Sequence, residues 1–127
     1  MEPLRILVVD DEVELVDALV ERLNLRGFDA HGETHGREAL DRLIATPFDV
    51  VLLDVRMPGV GGLDVIEVIK SRLPHVQVVM LTGHGSVEDA EKGRRLGAFE
   101  YLMKPVKIEK LVEILNAAAG RQQEKEE

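Results

Sequence analysis

The residues best suited to chemistry in this chain are acids, one hydroxyl and one lysine, each standing at or just past the end of an apolar run. Asp10 and Asp11 follow Leu4–Val9, Asp54 follows Val50–Leu53, Thr82 follows Val76–Leu81, and Lys104 comes after Glu100–Met103 and directly before Pro105. Carboxylates gathered in one place repel, and burial drives at least one toward its protonated form unless a cation offsets them. A hard divalent ion answers that need. Mg²⁺ takes a few carboxylate or carbonyl oxygens, keeps several waters and leaves room for a phosphate oxygen, which suits this donor set better than a calcium cage. With Lys104 as a second positive charge, the group fits phosphoryl transfer, where catalysis is mostly positioning and charge neutralisation. Asp54 is then the nucleophile and an acyl phosphate its product. There is no cysteine, so thiolate nucleophiles, thiolate metal sites and disulfides are excluded.

These residues meet only if the runs before them are neighbouring strands. Apolar, β-branched runs alternate with helix-period segments along the whole chain, with no linker or repeat. Strands are predicted over Leu4–Asp10, Phe28–His31 (weak), Val50–Asp54, Val76–Leu81 and Glu100–Met103. The first helix carries the stripe Val16, Leu19, Val20 and Leu23 and ends at Gly27; the second spans Arg37–Ala45. The third carries Leu63, Val65, Ile66 and Ile69 and stops before Pro74. The fourth, Val87–Leu96, offers only Val87, Ala90 and Leu96 as inward candidates around Gly93, so it is expected to be the least firmly held. The last carries Ile108, Leu111, Val112, Leu115 and Ala119 and is expected to end near Gly120, leaving a frayed charged tail at 121–127. Repeated β-α units imply right-handed crossovers and a parallel sheet covered on both faces, a doubly wound α/β domain. Sites in such sheets form beyond the carboxyl ends of the strands, where the candidate residues sit.

The fragments DD, LDVRMPG, LTGHG and YLMKP, in this order and spacing, resemble the receiver domains of two-component signalling. The resemblance covers Leu4 to about Ala119, so residues 1–120 are read as one receiver domain. It implies a flavodoxin-like (βα)5 fold with strand order 2-1-3-4-5. It also implies that Asp54 accepts a phosphoryl group, and that Mg²⁺, or Mn²⁺, is held by Asp11, Asp54 and the backbone carbonyl of Arg56, with Asp10 holding a metal-bound water. By the same resemblance Lys104 and Thr82 bond phosphoryl oxygens, and Tyr101 turns inward once Thr82 has moved. Arg56 and His84 match positions that tune self-dephosphorylation, and the Lys104–Pro105 peptide bond is expected to be cis. Gly83 stands where the family often has alanine and Val106 where phenylalanine is frequent; neither change removes a reacting group. The implied donor is a sensor histidine kinase or a histidine phosphotransfer protein. The face built by the fourth and fifth strand-helix units would then change its affinity for a partner or linked output domain. LTGHGSVEDA is similar to receivers attached to ATPase-type transcription activators, so a stand-alone receiver and an amino-terminal piece of a longer regulator both stay open.

Other readings fit less well. An aspartyl-phosphate phosphatase would need a second acid two residues after its nucleophile, where Arg56 stands. A flavodoxin-like cofactor binder would meet the acidic segment DEVE after the first strand, which repels phosphate. Gly59, Gly61 and Gly62 are not followed by the Lys-Ser/Thr of a nucleotide-binding loop. His31, His35, His75 and His84 lack metal-ligand spacing. Of 127 residues, 24 are acidic and 16 basic, and the net charge of −8 argues against direct nucleic-acid binding. No apolar run is long enough for a membrane span and no signal-peptide pattern opens the chain, so a cytoplasmic signalling protein is expected. It would be no enzyme for outside substrates, catalysing only its own phosphorylation and dephosphorylation, and a monomer or phosphorylation-dependent dimer.

Overall fold

The computed structural model describes residues 2–83 and 87–126, with side chains described no further than residue 120. Five strands, β1 (Arg5–Val9), β2 (Asp29–Glu33), β3 (Val50–Asp54), β4 (Gln77–Thr82) and β5 (Glu100–Met103), alternate with five helices. The helices are α1 (Val13–Leu25), α2 (Gly36–Ala45), α3 (Gly62–Arg72), α4 (Val87–Arg95) and α5 (Ile108–Glu126). All strand pairings are parallel, in the order β2-β1-β3-β4-β5, as the family resemblance implied.

Successive side chains on a strand point to opposite faces, and here both faces are roofed by helices, so between their first and last residues the central strands carry only apolar side chains. Val51 and Leu53 of β3, with Leu7, Val9, Val78 and Met80, pack under α2, α3 and α4. Their neighbours Val50 and Leu52, with Ile6, Val8, Val79 and Leu81, pack under α1 and α5. Every residue of β3 and β4 is buried. The sheet therefore divides the interior into two separate apolar layers.

Beyond one-residue shifts at the ends of β1 and β4, three features differ from expectation. Val87 is 57% exposed, whereas Ala90 faces inward as expected, joined by Gly93 and by Leu96 just past the helix. A Cβ on Gly93 would lie 2.1 Å from Met80 Sδ, so the missing side chain lets α4 approach the sheet closely and turns Val87 outward. β2 begins one residue later than predicted and runs two further, because Gly27, with φ +90°, turns the chain and leaves Phe28 half-buried before the strand starts. Finally, α5 passes through Gly120 to Glu126, since the residues from Arg121 to Glu126 are good helix formers and a single glycine costs only about 1 kcal/mol.

Candidate functional site

Each candidate side chain is delivered by the backbone at the carboxyl edge of the sheet. Asp54 is the last residue of β3 and pairs with Leu81 of β4. Thr82 ends β4 and pairs with Met103, and its carbonyl accepts the Lys104 N–H at 2.8 Å. The Lys104–Pro105 peptide bond is cis. Behind Asp54, α3 begins so close to the strand end that a Cβ on Gly62 would meet the Asp54 carbonyl oxygen at 2.4 Å and the Val55 Cα at 2.7 Å.

The three aspartates converge, with carboxylate oxygens of Asp10, Asp11 and Asp54 all within 4.8 Å of one another. Asp10 is fully buried and Asp54 nearly so, while Asp11 is exposed. Lys104 Nζ lies 2.7 Å from Asp10 Oδ2, 3.1 Å from Glu12 Oε1 and 3.8 Å from Asp54 Oδ2. The ammonium thus sits nearer to two neighbouring acids than to the nucleophile candidate. It meets Asp10 Oδ2 off the axis of a hydrogen bond, leaving that buried oxygen with no aligned donor. Asp10 Oδ1 accepts the Glu12 N–H at 2.9 Å, and Asp54 Oδ1 accepts the Arg56 N–H at 3.2 Å.

Burial, reinforced by the charge of Asp10, pushes the Asp54 carboxyl up to about 6 despite the pull of Lys104 and the Arg56 N–H. Burial raises Asp10 as well, partly offset by Lys104. Burial alone would lower the Lys104 ammonium, but its contacts with Asp10, Glu12 and Asp54 outweigh that and raise it, so it stays charged. An acidic cluster that cannot comfortably hold all its charge, with a buried oxygen that has the ammonium beside it but no aligned hydrogen bond, is what a small hard cation would complete.

Thr82 is buried, its hydroxyl donating a long 3.4 Å bond to the Leu102 carbonyl. Tyr101 is half-buried against the α2–α4 layer, with the Arg94 guanidinium 5.0 Å from its ring centroid and Arg94 also paired to Glu100. Arg56 is exposed, and its Nε donates to Asp89 Oδ2 of α4 at 2.7 Å. His84 lies outside the described residues. Sequence reasoning missed Glu12 and Asp89. Glu12 continues the acidic run and was within reach of it; Asp89 is 33 residues from Arg56, with no local signal.

Comparison with known proteins agrees with this fold. The family described as "Response regulator receiver domain" matches residues 6–116. The chain is 34% identical over 120 residues to a putative response regulator NtrX-like of Rickettsia felis, covering 93% of this chain and 25% of that protein. It is 36% identical over 123 residues to the regulatory protein AtoC of Escherichia coli, covering 97% of this chain and 27% of that protein. A solved response regulator receiver domain protein from Clostridium thermocellum superposes with a TM-score of 0.90 at 34% identity, over 94% of this chain and 97% of that one. The chain spans about a quarter of the length of these two longer relatives. With its parallel five-stranded sheet and its acids and lysine drawn to one edge, the chain belongs to the receiver domains of two-component response regulators.

Proposed function

We propose that this receiver is a cytoplasmic phosphoacceptor whose reacting group is Asp54. The observation that carries the reading is the convergence of Asp10, Asp11, Asp54 and Lys104 at one strand edge. A carboxylate oxygen of Asp54 attacks the phosphorus of a phosphohistidine on a sensor kinase or phosphotransfer protein. The O–P bond forms as the N–P bond breaks, and the electron pair returns to the imidazole nitrogen, which takes up a proton. Lys104 moves from Asp10 and Glu12 toward the transferred group and holds one of its oxygens; Thr82 turns its hydroxyl from Leu102 to hold another. Asp10, Asp11, Asp54 and the main-chain carbonyl of Arg56 would hold Mg²⁺ or Mn²⁺, which supplies charge neutralisation for the acids and the phosphoryl oxygens. Tyr101 follows Thr82 inward, and the face of β4, α4, β5 and α5 changes its affinity for a partner or linked output domain. Arg56, and His84 by the family resemblance, set the lifetime of the acyl phosphate.

Intact-mass measurement after incubation with acetyl phosphate and Mg²⁺ tests the reading. The native chain should gain the mass of one phosphoryl group and Asp54→Asn should gain none. An unmodified native chain, or a variant modified to the same extent, would overturn it.

A further inference from the structure

Arg56 touches both the acceptor and the fourth helix. Its main-chain N–H donates to Asp54 Oδ1 at 3.2 Å, while its side-chain Nε donates to Asp89 Oδ2 at 2.7 Å. Among the described residues, little else holds the first turn of α4. Val87 and Glu88 are exposed, and the inward residues Ala90 and Gly93 present almost no side chain. The far end of the helix is fastened differently, through Arg94 to Glu100 and to the face of Tyr101. The Arg56 side chain is 68% exposed and borders an open cleft of about 510 Å³ with Met57, Pro58, Leu63 and Asp89, so no packing fixes the guanidinium where it is.

We propose that Asp89 is a positioning residue acting through Arg56: their ion pair ties the first turn of α4 to the acceptor loop and is given up when Asp54 carries a phosphoryl group. The inference rests on Asp54 being the acceptor. A phosphoryl group offers up to about two negative charges and several strong acceptors, two residues from a guanidinium whose planar fork matches it. Asp89 offers one carboxylate. When the guanidinium turns to the stronger anion, Asp89 is released and α4 loses the tie at its loosely packed end. A pair this exposed contributes little, so the tie biases α4 and does not lock it.

Reciprocity makes the test quantitative. A tie that opposes the phosphorylated arrangement must weaken binding of a phosphoryl mimic by the factor with which it favours the resting one. Amide spectra of the full chain, in Mg²⁺ with and without beryllofluoride, should be compared for the native protein, Asp89→Asn, Arg56→Gln and the double variant. Asp89→Asn without beryllofluoride should move the Val87–Arg95 amides along the line joining the native resting and beryllofluoride-bound positions. It should also tighten beryllofluoride binding roughly two- to fivefold. Arg56→Gln should move the same amides in the same direction, and the double variant should move them no further than either single change.

Shifts confined to position 89 and its neighbours, lying off that line, with native affinity for beryllofluoride, would overturn the inference while the acceptor reading stood. Additive displacements in the double variant would likewise overturn it. A native protein that failed to bind beryllofluoride would bring down both.

Discussion

At Asp54, burial works against the charge that the proposed attack on phosphorus requires. Its carboxyl is pushed up to about 6, first by burial and then by the charge of Asp10. The same group in the unfolded chain titrates near its ordinary value, so between about pH 4 and pH 6 the native state binds more protons than the unfolded one. Stability from this carboxyl is therefore fully present below that window and is lost as pH rises through it, by about 3 kcal/mol in all. Asp54→Asn keeps the shape and removes the charge. It should stabilise the metal-free protein at pH 7 by about 1–3 kcal/mol and change little at pH 4. Urea unfolding at the two pH values checks this; a variant no more stable than the native chain at pH 7 would remove Asp54 from a desolvated setting. Asp10, Asp54 and Thr82 were legible because each interrupts an apolar run where a covered strand must end, and Lys104 because it directly precedes Pro105 at the end of the short β5. The contacts of Lys104 with Glu12 and of Arg56 with Asp89 were not, because they depend on which loops tertiary packing brings together.

At the scale of elements, one substitution should act in opposite directions at two helical glycines. A methyl group gains about 1 kcal/mol of intrinsic preference in a helix. At Gly62 it would collide with the Asp54 carbonyl and the Val55 main chain, neither of which can rotate away. Gly62→Ala is therefore expected to cost about 2–3 kcal/mol net and to push α3 off the end of β3. At Gly120 nothing lies within 4 Å of the added atom. Gly120→Ala should stabilise by about 0.5–1 kcal/mol, because α5 continues past that position. Thermal or urea unfolding of the pair distinguishes them, and a neutral Gly120→Ala would place the end of α5 nearer the position read from sequence. β3 and β5 matched their predicted bounds because each is flanked by turn residues. Ala90 and Leu96 of the fourth unit pack inward as read, whereas Val87 was misplaced, since sequence periodicity registers large apolar side chains and passes over Gly93.

At the scale of the whole molecule, a cation that binds only the folded arrangement of Asp10 and Asp11 with the distant Asp54 must stabilise the entire fold by mass action. A hundredfold excess over Kd corresponds to about 2.7 kcal/mol. The melting temperature of the native chain should rise with added Mg²⁺ and fall back on chelation, whereas Asp11→Asn should show a much smaller rise. Equal responses would mean that the ion acts elsewhere. Among the described residues no helix is long and apolar enough to cross a membrane.

The sheet is also a partition. Substitutions beneath α2, α3 and α4 need not be reconciled with those beneath α1 and α5, because among the described residues the two layers share no side chain. A chain laid out in this way can repack one layer by drift while the other keeps its own, with the edge that gathers the acids and the lysine unchanged between them.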